Sequence, residues 1–179
     1  MRWILLAAAL AAAAPAQAAD IATIGCITQS LTPAGRTTID QAFEKSISDP
    51  SNGSPDPAAY QLIDEAVTSC AAKHGWSQKA KSSAFLHAMA TLMWPVAARV
   101  GRTKGLDAAA LESLFMAMPE TDRLKAISAE GQPDTAIFTR LAESASKNRL
   151  ADDSNAVLAG MILGIVALRE RGAADFKAN

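Results

Sequence analysis

The sequence predicts an all-α fold, a single-domain bundle of about seven or eight helices. Three observations carry this. Apolar residues recur at helical spacing from residue 20 to residue 170, no segment alternates with period two, and helix-start pairs such as Thr32-Pro33 and Asp56-Pro57 recur along the chain. Two stretches, about 78–100 and 154–170, are apolar on nearly every face and so belong at the centre of the bundle.

The chain begins with Met1-Arg2-Trp3, an apolar run from Ile4 to Ala14, Pro15, and the small-residue motif Ala16-Gln17-Ala18. That order predicts a secretory signal peptide over residues 1–19, too short to span a bilayer, and a periplasmic or secreted destination. Cleavage after Ala19 leaves 160 residues, enough for one domain with a real core. Removing Arg2 with the leader leaves sixteen basic against eighteen acidic residues, which argues against nucleic acid as a partner. The bundle is expected over 20–172, followed by a polar tail at 173–179.

Export makes a disulfide between Cys26 and Cys70, the two cysteines of the chain, the expected pairing. Lipidation of Cys26 is the rival reading. Thr23-Ile24-Gly25-Cys26 faintly matches a lipobox, but Pro15 to Asp20 separate it from the apolar run.

Asp20 to Leu31 reads as a short first helix. Thr32-Pro33 opens a second, with Ile39, Phe43 and Ile47 on its inner face, and Ser48 to Pro55 is turn chemistry, including Asn52-Gly53-Ser54. Asp56-Pro57 opens a third helix that Gly75 ends. Trp76 then falls where a side chain folds back over the last helical turn, covering Cys70, and Ser77 caps the next helix. Gly75, Trp76 and Ser77 therefore form a structural junction with almost no loop.

The helix from Gln78 to about Val100 carries Pro95, expected to bend or break it near Trp94. Gly101 to Gly105 is a basic connector. Asp107 caps a helix through Met118, Pro119 begins a shorter one closed by Gly131, and Asp134 caps another with Ile137, Phe138, Leu141 and Ala145 inward. Asp153 or Ser154 starts the last helix. Its Gly160 and Gly164 are predicted to let the Gln78–Val100 helix approach closely, so that Gly164→Leu should overpack the contact.

No hydrolase, metalloprotease, phosphate-loop or dinucleotide motif is present, and no catalytic residue, cofactor or metal site is assigned. His74 is read as a helix-end cation and His87 as a core or boundary histidine. Met89, Met93, Met116 and Met118 with His87 have the chemistry of a cuprous or haem site, but residues two apart diverge on a helix, so gap-filling is the simpler role. The expected function is a non-catalytic binding or structural module, with another periplasmic protein as partner. The alternative is a carrier of a small apolar ligand, held between the two central helices with the Pro95 bend as its mouth.

Overall fold

A computed structural model describes residues 18–49, 56–128 and 131–179. The proposed leader up to Gln17 and the Asn52-Gly53-Ser54 turn lie outside the described residues. A 3-10 turn at Ile21–Thr23 precedes α1 (Cys26–Ser30), α2 (Pro33–Ser48), α3 (Pro57–His74), α4 (Gln78–Thr103), α5 (Ala108–Met116), α6 (Glu120–Lys125), α7 (Thr135–Lys147) and α8 (Ala156–Ala178). The fold is an all-α bundle, and the described residues contain no strand, only an isolated bridge between Ile127 and Pro133.

Side-chain caps start the helices where the sequence places them. Thr32 accepts from the Gly35 amide, Asp56 from Ala58, Ser77 from Ala80, Asp107 from Ala110 and Asp134 from Ile137. The last helix starts later than expected, at Ala156, because Asp152 to Asn155 fold into their own turn. There Asp152 Oδ1 accepts from the Ser154 amide and hydroxyl, and Asn155 Oδ1 accepts from the Asp152 amide. The short helix α6 likewise ends at Lys125, well before Gly131. The chain leaves it at Ala126 and returns through the bridge to Pro133.

The central pair is α4 and α8, with α2 and α3 packed on α4, and α5 and α6 packed on α8. Helix α4 runs unbroken through Pro95, which sits inside it. Pro95 itself is exposed, on the outer side of the helix, and the packing of Val96, Ala97 and Val100, all buried beyond it, holds α4 together across the lost hydrogen bond. The fully buried positions before it, Ala80, Ala84, Ala88 and Ala90, are small, whereas Phe85, Met89, Leu92 and Met93 lie partly buried around the core.

Close approach of α4 and α8 depends on a different glycine from those expected. A Cβ at Gly172 would lie 2.7 Å from the His87 amide nitrogen and 3.0 Å from its Cα, so backbone meets backbone there. Gly160 and Gly164 correct the sequence reading: nothing lies within 4 Å of a Cβ at either. The small pair faces open space because α4 crosses α8 on another face.

The segment 173–179 is not a tail. It continues α8, and Phe176 is fully buried. Phe176 packs edge-on against Trp76 at 4.9 Å, and the Ser77 hydroxyl donates to the backbone oxygen of Asn179. Apolar burial of one aromatic side chain outweighs the polar flanks that suggested a tail.

Candidate functional site

At the Trp76 junction Gly75 adopts φ +68°, and the Trp76 amide donates to the Ala71 carbonyl at 3.1 Å, the six-to-one bond of a Schellman stop. The sulfurs of Cys26 and Cys70 lie at disulfide distance, 2.05 Å, with Cα atoms 6.0 Å apart. The indole makes contacts the sequence did not indicate: Nε1 donates to Thr23 Oγ1 at 3.0 Å, and the ring stacks on His74 at 5.9 Å. This end of the molecule is a structural clamp that joins the 3-10 turn, α1, α3, α4 and the end of α8.

A second polar layer forms around Arg169-Glu170-Arg171, whose partners lie far off in the chain and leave no local signal in the sequence. In the fold these side chains bind back. Arg169 pairs with Glu112 and lies 5.4 Å over the Trp94 ring, while Arg171 pairs with Asp175 and donates to the carbonyls of Leu124 and Ile127. Arg123 donates to the Met116 and Met118 carbonyls. These arginines anchor α5 and α6 to α8.

His87 Nδ1 lies 3.0 Å from the Arg169 carbonyl. A carbonyl only accepts, so Nδ1 carries the proton. Burial pushes the His87 pKa below its ordinary value, opposed by that hydrogen bond and the Glu170 charge and reinforced by the Arg169 charge. Met89, Met93 and Met118 pack partly buried against the core, and Met116 is 39% exposed. Among the described residues no group of three or more His, Cys, Asp or Glu side chains is placed to hold a metal.

A groove with room for a ligand lies between α7 and α8. Helix α7 is strongly amphipathic and buries a single row, Ile137, Leu141 and Ala145, so it leans on α5 and α8 without covering α8. Phe138 and Ala142 sit beside that row. Facing them, α8 offers Ala156, Gly160 and Gly164 in steps of four, with Val157, 71% exposed, and Met161 alongside. The two glycines lack the side chains that would fill the space. The result is an open groove of about 1110 Å³, with Ile127, Pro133 and Leu168 in its lining.

Its walls are mostly apolar, with the Thr135, Thr139 and Ser146 hydroxyls along α7 and Glu143, Lys147, Asp152 and Asp153 near the turn between the helices. A smaller hollow of about 580 Å³ between α3 and α4 is lined by Tyr60 and Phe85 among polar side chains such as Gln61, Asp64 and Lys81. Where Gly172 meets His87 the α4 and α8 backbones leave no space between them. The sequence signal for the groove was the glycine pair itself, read with the wrong sign.

The chain matches no family model, no curated protein and no solved structure, so the geometry of the groove carries the functional argument by itself.

Proposed function

We propose that the protein is an exported, non-catalytic binding module that holds a small or single-chain apolar ligand in the α7–α8 groove. One observation carries this reading. Gly160 and Gly164 open a largely apolar groove of about 1110 Å³ on a helix otherwise rich in large aliphatic residues. Ligand sites are concave and mainly apolar with a few polar groups, and this volume lies just above their usual range of roughly 300–1,000 Å³, as suits a groove open along one side. Export is supported by the leader pattern and by the disulfide, which persists outside the reducing cytosol.

The test is titration of the isotopically labelled chain, lacking the leader, with lauryl alcohol, followed by amide chemical shifts. Shifts confined to Ile127 and residues 135–168 are expected, and Gly164→Leu abolishes them because the leucine side chain enters the empty groove without meeting protein atoms at its Cβ. No saturable shift, or shifts centred on Tyr60 and Phe85, would overturn the proposal.

A further inference from the structure

We propose that the groove takes a single-chain amphiphile with a cationic head, laid with its chain toward Leu168 and its head at the turn between α7 and α8. This rests on the groove reading above and adds the polarity and direction of the ligand. Both helices line the groove over most of their length, and Ala156 to Leu168 of α8 span about 18 Å at 1.5 Å per residue. A site of that shape suits an extended chain better than a compact molecule.

The two ends differ in kind. Ile127, Pro133, Phe138 and Leu168 line one end, and no charged side chain lies among them. The other end holds three carboxylates, Glu143, Asp152 and Asp153, against one ammonium, Lys147. Asp152 stays ionised because the Ser154 hydroxyl and amide both donate to it and hold its carboxyl below the usual carboxylate range. The first turn of α8 and the last turn of α7 meet at this end, and their opposite dipole charges of about half a unit cancel. Lys147 offsets one of the three carboxylates. An excess of about two negative charges remains among the lining groups, so a cationic head is attracted there and a carboxylate head repelled.

The experiment compares dodecyltrimethylammonium, lauryl alcohol and laurate, each below its micelle concentration, by calorimetry and amide shifts on the same leaderless chain at low ionic strength. The ammonium ligand is expected to bind roughly tenfold more tightly than laurate, because the charges are exposed and each contributes modestly, with the difference shrinking as salt is added. The double variant with Glu143→Lys and Asp153→Lys reverses that order, so that laurate binds more tightly than the ammonium ligand, and an unreversed order overturns the inference. Laurate binding as tightly as the ammonium ligand overturns this inference while leaving the groove reading in place. Failure of all three ligands to bind overturns the groove reading itself.

Discussion

Three glycines on one helix are expected to respond to alanine with opposite signs, and the difference measures how tightly α4 and α8 are held. At Gly172 the new Cβ would sit 2.7 Å from the His87 amide nitrogen, roughly 0.7 Å inside the 3.4 Å edge of ordinary contact. The obstacle is backbone, which cannot rotate away as a side chain end can. At Gly101, by contrast, the neighbour at 3.1 Å is only the Cδ1 methyl of Ile162. Accommodating the methyl at Gly172 therefore means moving α8 off α4, and a gap of that size forfeits about a quarter to a half of each contact's attraction along the pair. Overpacking of this kind costs about 1–3 kcal/mol, here toward the upper end, while replacing a helical glycine by alanine returns about 1 kcal/mol. The net expectation for Gly172→Ala is a loss of about 2 kcal/mol.

Gly160→Ala and Gly164→Ala meet nothing within 4 Å and should stabilise by about 0.4–1 kcal/mol each, chiefly through the entropy of the unfolded chain. Urea denaturation with a shared slope gives the three values directly. The spread between Gly172→Ala and Gly164→Ala, about 3 kcal/mol, corresponds to roughly 10 °C in Tm for a domain of this size. Refutation would be a Gly172→Ala protein as stable as Gly164→Ala, which would mean that the two helices do not meet at His87.

Three further outcomes are expected. The Cys26–Cys70 bond closes a separation of 44 residues, so converting both cysteines to serine should cost about 4 kcal/mol in the chain-entropy model; two alkylated thiols in the unreduced wild-type protein would contradict the bond. Arg149 holds φ +57° at the end of α7, where the Leu150 amide bonds the Ala145 carbonyl, so Arg149→Gly should raise the denaturation midpoint by about 1 kcal/mol of stability; an unchanged or lower midpoint would count against a left-handed residue there. The His87 pKa is lowered in the folded state, so the neutral ring favours folding. Its contribution is complete above the unfolded value of about 6.5 and is lost as pH falls through that value toward the folded one. Stability measured from pH 7.5 to 5 should fall less in His87→Gln than in wild type, and parallel curves would refute the assignment.

Local chemistry made most of the fold legible. Thr32, Asp56, Ser77, Asp107 and Asp134 cap their helices through groups within three residues, so their signals are complete in the sequence. The central pairing was legible too, because two helices apolar all round have nowhere else to go. What failed was facing. Gly160 and Gly172 are equally small in sequence, yet one looks into a groove and the other onto the His87 backbone, and only the crossing of α4 over α8 decides which. The same ignorance hid the roles of Arg169 and Arg171. Their partners, Glu112 and the Leu124 and Ile127 carbonyls, are 44 to 57 residues away in the chain.

The placement of the strongest ties bears on the binding proposal. The disulfide, the Trp76 indole on Thr23 and Phe176, and the Ser77 bond to Asn179 all gather at the end where the third and fourth helices join and the last helix finishes. The groove runs toward the opposite end of α8, where the helix begins without a side-chain cap, Val157 is exposed, and α7 is held by one buried row. A domain of this size has only about 5–15 kcal/mol of net stability, and filling the groove with aliphatic side chains would add to it at about 25 cal/mol per Å² of apolar area buried. Leaving glycine at residues 160 and 164 forgoes that gain, and the clamp offsets the loss from a distance. Alanine at both positions should therefore yield a more stable protein with weaker affinity for lauryl alcohol, the trade expected when a low-stability region is kept for binding. If the double variant gained stability with no change in affinity, the glycines would be incidental to the groove, and a different pair of walls would have to hold the ligand.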